Sequence, residues 1–351
     1  MSHPYKNLPP QNFWRKAVAG VPRQDLMLPV ASSFQVEPGD KVATAGSCFA
    51  QHLANGLQKS GFDYFVPEAG EDLDPATRKQ RNYGVYSARY GNIYTTLQLL
   101  QLLQEAYGLR TPQDRVWQDD KGRFYDPYRP AIEPNGFDSA EAMLASREVM
   151  CAAVRRIVEE SDIFVFTMGL TETWRNRADG SIYPVVPGAV TGEHDPDQHE
   201  FLNMSASQVR DSLEEAMAFF RARNPGIRFL LTVSPVPLVA TYEDRHVLSS
   251  TTYSKSVLRV VAEEVSRAHE TVTYFPSYEI ITGHYNGGLY FEPDMRNVSM
   301  RGVRHVMRNF MREMTQQDGA KPALSQEIIA QSESSFQELN KLVCEEEALD
   351  P

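Results

Sequence analysis

Ser47 is the residue of this chain whose setting suits chemistry best. It lies in Gly46-Ser47-Cys48-Phe49-Ala50, after a short apolar run, Val42 to Ala45. Beyond it an apolar side chain recurs at every fourth position, at Phe49, Leu53 and Leu57. That change of pattern predicts a strand, a tight turn and a helix. Ser47 would then stand at a helix N-terminus, beside unpaired backbone N–H groups and the positive end of the helix dipole. The same N–H groups can hold the oxyanion that a serine nucleophile creates. The chemistry open to it is attack on an acyl carbon. The plain structural alternative is an N-cap serine. Cys48, next to it, would gain nucleophilicity at the same helix end. Adjacent residues point differently, however, and Cys48 reads as a structural cysteine.

Other residues have weaker claims. Glu172 could hold an arginine or a sugar hydroxyl, or serve as a carboxylate favoured by a helix N-terminus. Trp174 could stack on a sugar ring or anchor a loop. His194, Asp195, Asp197 and His199 are of metal-ligand type. Their segment lacks a helical His-x-x-x-His register and a cysteine pair, so no metal is assigned. There is no Walker-type glycine loop, and no cofactor is implied.

The elements that must position these residues follow from the pattern of the chain. Of 351 residues, 42% are hydrophobic and 23% charged, which predicts a globular protein with a sizeable core. The formal net charge of −11 argues against a general nucleic-acid binder. No apolar stretch reaches the ~18 residues of a membrane span, and the N-terminus has no signal-peptide core. Cys48, Cys151 and Cys344 are too few and too scattered for a disulfide framework or zinc ribbon, so a cytoplasmic location is expected.

Strands are expected near 41–45, 62–66, 162–168, 227–233 and 271–275, each next to a helical pattern. Asp138 with Glu141 and Ser205 with Gln208 have capping-box spacing. Further helices are expected over 96–107, 254–268, after Ser299, and from Ser325 into the acidic end of the chain. Strands alternating with helices predict βαβ units and one parallel sheet with helices on both faces. Residues 1–35 read as an N-terminal extension, 36–315 as one α/β domain, and 316–351 as a tail. Two insertions interrupt the domain, at about 67–137 and 175–203. The second is polar and irregular, with Asp179-Gly180 as a hairpin turn. Loops at the C-terminal ends of the strands are where such sheets keep their sites.

Five segments in order carry a family resemblance: GSCFA at the first strand, RYGNIYT (Arg89–Thr95), FTMGLTETW (Phe166–Trp174), TVSPVPL (Thr232–Leu238) and SYEIITG…FEPDMRNVSMRGV (Ser277–Val303). Over about 36–310 the chain resembles the GSCFA family, usually grouped with the SGNH, or GDSL-like, hydrolases. The resemblance implies a flavodoxin-like five-stranded parallel sheet, order 2-1-3-4-5, with the nucleophile Ser47 after strand one. It also implies an oxyanion hole from the serine N–H, a glycine N–H and an asparagine of a GxND motif. Gly169-Leu170-Thr171-Glu172 matches that motif, with Thr171 in place of the asparagine. A hydroxyl donates one hydrogen bond with a shorter reach. Asn92, after Gly91, is either a substitute donor or a turn residue.

The base departs further. The Asp-x-x-His of the superfamily reads Asp294-Met295-Arg296-Asn297 here, and an asparagine cannot take a serine proton at neutral pH. His305 lies two helical turns beyond, roughly 12 Å of rise, and reads as a packed histidine. His246 is the candidate base, in the loop after the fourth strand, with Glu243 or Asp244 to orient it and Lys255 near the same edge. Asp294 would keep an orienting role. The expected function is thus a serine esterase or O-acyltransferase, with a small-molecule or glycan acyl ester as partner. The rival from another class is a catalytically silent binding module of the same fold.

Overall fold

Four strands run parallel through the middle of the molecule, in the order β1 (Val42–Gly46), β4 (Ile163–Met168), β8 (Arg228–Val233) and β9 (Val272–Tyr274). The computed structural model describes residues 3–315 and 345–349; the helix expected from Ser325, most of the expected tail and Cys344 lie outside them. Between β1 and β4 come α1 (Ala50–Lys59), α2 (Pro75–Gln80), α3 (Thr96–Ala106), the short pair β2 (Trp117–Gln118) and β3 (Phe124–Tyr125), and α4 (Ala140–Glu160). β5 (Glu172–Asn176), β6 (Ile182–Tyr183), β7 (His199–Asn203) and α5 (Ala206–Arg221) precede β8. α6 (Val247–Ala268) joins β8 to β9, and α7 (Ser277–Thr282) and α8 (Met300–Met314) follow.

The central strands are buried on both faces, as their unbroken apolar runs require. Side chains alternate between two cores. Phe164, Phe166, Phe229 and Leu231 pack with α3, α4, α5 and α6 on one face. Val42, Ile163, Val165 and Leu230 pack with α1, α7 and α8 on the other. Ser205 and Gln208 form the expected capping box of α5. α4 is capped by Ser139 rather than Asp138, one residue later than its spacing suggests. α6 starts at Val247, about two turns before Ser254.

The strand expected over 62–66 is reduced to one parallel bridge between Val42 and Tyr64. Val42 makes both its hydrogen bonds there, to Asp63 and Phe65, each at 2.9 Å. The ladder then stops because the insertion takes over the edge of β1. Ser87 Oγ accepts the Thr44 N–H at 2.9 Å, the Tyr90 hydroxyl donates to the Thr44 carbonyl, and the Ile93 N–H reaches the Gly46 carbonyl at 2.9 Å. An exposed edge is thereby covered by side chains rather than another strand. This cover brings residues 90–94 beside Ser47.

The insertion expected to be irregular over 175–203 is instead a three-stranded antiparallel sheet, β6-β5-β7. Its hairpin turn does fall at Asp179-Gly180, with Gly180 at φ +70°. Among the described residues no helix is long and apolar enough to cross a membrane.

Candidate functional site

The turn after β1 is fixed by Gly46. Its φ is +138°, and a Cβ there would stand 2.3 Å from the Thr167 carbonyl oxygen. Only glycine tolerates that approach. Ser47 is then carried to the C-terminal edge of β1, between β4 and α1. Its N–H reaches the Thr167 carbonyl at 3.2 Å, and its carbonyl accepts the Ala50 N–H at 2.8 Å. The side chain does no capping: Phe49 holds the N-cap position of α1, with no side-chain bond. Ser47 is 3% exposed, and its hydroxyl has no hydrogen-bond partner among the described residues. Buried hydroxyls seldom lack one, and such an atom asks for an explanation.

One turn packs against this serine, and two further segments brace that turn. Gly169, at the end of β4, packs so closely that a Cβ on it would meet Ser47 Cβ at 3.3 Å. The Tyr94 carbonyl accepts the N–H groups of Gly169 and Leu170 at 2.9 and 3.0 Å. On the far side of that turn the buried Lys255 Nζ donates to the Gly169 carbonyl at 2.7 Å.

Asn92 is oriented from α1. The Gln51 amide donates to the Tyr86 hydroxyl at 3.0 Å, and that hydroxyl donates to Asn92 Oδ1 at 3.1 Å. Asn92 must therefore aim its NH2 the other way. That NH2 reaches Glu345 Oε2 at 2.5 Å, and the Tyr94 hydroxyl reaches the same oxygen at 3.0 Å. The Asn92 amide is thus buried, oriented and turned towards a carboxylate.

The sequence pattern of the GSCFA family matches residues 41–310. The chain belongs to the GSCFA family. The match runs from β1 into α8 and so takes in Ser47, Asn92, Gly169 and Lys255, while Glu345 lies beyond it. No curated protein matches the chain.

The remaining expected site residues of this GSCFA protein are distributed as follows. Thr171 is fully buried near the Gly169 turn, but its hydroxyl donates to Asn203 Oδ1 at 2.7 Å and its N–H to Ser254 Oγ at 3.0 Å. Asn203 continues to Glu243 at 2.9 Å. Glu172 opens β5 and binds the Thr241 hydroxyl at 2.7 Å. Burial pushes its carboxyl up, against the hydrogen bond from Thr241. Trp174 sits in an aromatic cluster, edge-on to Tyr242 and His194 with ring centroids 4.9 Å apart in each pair. Phe201 adjoins it, and Tyr242 is exposed.

The histidines and the Asp294–Asn297 segment have local partners of their own. His246 is exposed and caps α6, its Nδ1 accepting the Leu248 N–H at 3.1 Å. His305 is buried with both ring nitrogens engaged, by the Tyr290 hydroxyl and the Leu26 carbonyl, each at 2.5 Å. Asp294 is exposed and ties its own turn, accepting the N–H groups of Arg296 and Asn297, each at 2.9 Å. His199 Nδ1 accepts the Asp195 N–H at 3.0 Å. Among the described residues no group of three or more His, Cys, Asp or Glu could hold a metal ion.

Three residues at or near this edge were missed or undervalued from sequence. Tyr94 stands in the RYGNIYT segment and was read only as part of a motif. His52, on α1, has its imidazole lowered to about 4 by burial. Glu345 gave no signal, since a run of glutamates ordinarily reads as a solvated face.

Proposed function

We propose that this GSCFA protein is a serine acyl-transfer enzyme of SGNH type, an esterase or O-acyltransferase acting on an acyl ester of a carbohydrate or small molecule. The observation that carries this reading is the Ser47 hydroxyl: buried, without a partner among the described residues, and on a tight glycine turn at the edge of a parallel sheet. Ser47 Oγ would attack the acyl carbonyl, forming a C–O bond while its proton passes to a base. Collapse would expel the alcohol, which takes a proton, and leave an acyl-serine. Water or an acceptor hydroxyl would then release the acyl group.

In this reading the Asn92 amide binds the oxyanion at the Gly91 turn, and Gly169 keeps the wall beside the serine flat. The single Thr171 proton is committed to Asn203, so Thr171 fixes the loop rather than donating to substrate. The base comes from α6. Lys255 is the basic side chain tied to the serine's own wall, through Gly169. His246 heads the same helix and is the alternative. The order 2-1-3-4-5 is supported by the Tyr64 bridge on the outer edge of β1. The Trp174–Tyr242 cluster supports a sugar as acceptor or alcohol.

A silent binding module is the second reading. It is favoured by one observation: no described side chain hydrogen-bonds Ser47. The two separate when the protein is quenched during turnover of an activated acetyl ester and digested. An acyl adduct on the Ser47 peptide, absent from Ser47→Ala, is expected. No adduct and no hydrolysis above the buffer rate in the folded native protein would sink the enzyme reading.

A further inference from the structure

Glu345 belongs to a short 3₁₀ turn, Glu345–Leu349, far along the chain from the sheet edge it touches. Its residue is 4% exposed. Among the described residues no cation pairs with it, and its two hydrogen-bond donors, Asn92 Nδ2 and the Tyr94 hydroxyl, are both neutral. Its other oxygen, Oε1, lies against Gly91, 3.6 Å from where a Cβ would stand. Gly91 has φ +73°, which favours glycine, and the Arg129 Cβ flanks the same face at the same 3.6 Å. Burying a carboxylate without a cation is costly. A glutamate run would ordinarily avoid that cost by staying in water. Here the neighbouring Glu346 is buried as well, bound to Arg296 at 3.2 Å. Arg296 also pairs with Glu347 at 3.7 Å, so its guanidinium holds the rim of the turn while Glu345 enters the pocket.

The pocket, in turn, was prepared from the other side. The Gln51–Tyr86–Asn92 chain directs the Asn92 NH2 outward with every intervening oxygen satisfied. Gln51 lies in the first turn of α1, directly after Ser47. Donors aimed in this way from within the folded domain are a site for an oxygen ligand, and Glu345 supplies one.

We propose that Gly91, Asn92 and Tyr94 form a carboxylate-binding subsite and that Glu345 occupies it as an internal ligand, which an external carboxylate replaces. The ligand class is a small carboxylic acid, or a substrate presenting a carboxylate beside its acyl group. The subsite shares Asn92 with the proposed oxyanion site, and its effect on turnover rests on that reading. Its binding does not. A tethered occupant acts at a high effective concentration, so an external acid competes poorly until the tether is loosened.

The test uses the full chain and sodium propionate, the side-chain acid of glutamate, followed by calorimetry against matched sodium chloride. Glu345→Ala should bind propionate saturably and at least about tenfold more tightly than the native chain. Adding Asn92→Ala to it should remove that binding. Arg296→Ala, which leaves the pocket residues intact and loosens only the rim, should shift binding the same way by a smaller factor. The proposal is overturned if folded Glu345→Ala and Arg296→Ala both bind no better than the native chain. It is equally overturned if Asn92→Ala leaves the binding intact. Because heat is the readout, an inert Ser47 would refute the enzyme reading without touching this result.

Discussion

The charged network beneath residues 89–147 and the pocket around Ser47 are both buried, but their polar atoms are treated differently. In the network, Asp126 takes Arg129 Nε at 2.7 Å and Arg147 Nη1 at 2.6 Å. Arg147 also binds Glu105, and Arg89 binds Glu133 at 2.5 Å. These pairs tie parts of the insertion, α3 among them, to one another and to α4. Burial alone would push the Asp126 carboxyl up; Arg147 and Arg129 beside it hold it below the usual carboxylate range. In the pocket, among the described residues, a hydroxyl has no hydrogen-bond partner and a carboxylate is bound by neutral donors. The first region holds shape by matching charge with charge. The second keeps polar groups uncompensated, which costs stability and is expected where a ligand completes the set.

The sharpest way to break the comparison is to unbalance the network. Arg147→Met leaves Asp126 and Glu105 short of a cation and should cost about 3–5 kcal/mol in urea unfolding. A loss below 1 kcal/mol would mean that the network is ornamental to the fold. The same pairing sets a pH signature. Because the folded Asp126 carboxyl lies low, its contribution is present above the unfolded value near 3.9 and lost as pH falls through the folded one. Asp126→Asn should therefore blunt acid unfolding below about pH 4.

In the pocket the same kind of change should act on rate as well as folding. Asn92→Ala should lower ester turnover by ~100-fold, the usual loss for one oxyanion donor, in a protein that still folds but loses about 1–3 kcal/mol with its buried hydrogen bonds. Unchanged turnover in the folded variant would return Asn92 to a structural role. The smallest effect sharpens the question of the base. His246→Ala removes a helix cap and should cost roughly 1 kcal/mol of stability. If Lys255 is the base, Ser47 acylation persists in that variant and fails in Lys255→Met; the reverse pattern assigns the base to His246.

The two regions also differed in how far the sequence disclosed them. The turn at Ser47 was legible because Gly46 breaks a strand pattern and Phe49, Leu53 and Leu57 open a helical one. Buried strands such as 163–168 were legible as unbroken apolar runs. The small sheet was not, since Arg175, Asn176 and Glu200 give its strands a polar look and their pairing is set by tertiary neighbours. The second expected strand shrank because Ser87 and Tyr90 compete for the backbone of Thr44, a contact no periodicity reveals. His246 looked like a site residue from its loop, yet its ring serves as a helix cap. Glu345 was illegible for a simpler reason: 253 positions separate it from Asn92, and nothing local marks a glutamate that will be buried.

The central claim is that the buried Ser47 hydroxyl is kept free for acyl chemistry. The most direct measurement is covalent labelling of the folded, full-length protein with a fluorophosphonate, mapped by peptide mass spectrometry. The account predicts one adduct, on the peptide bearing Ser47, absent from Ser47→Ala and formed faster in Glu345→Ala, where the pocket is open. A folded protein that stays unlabelled even in Glu345→Ala, or one labelled elsewhere with Ser47 untouched, would contradict it.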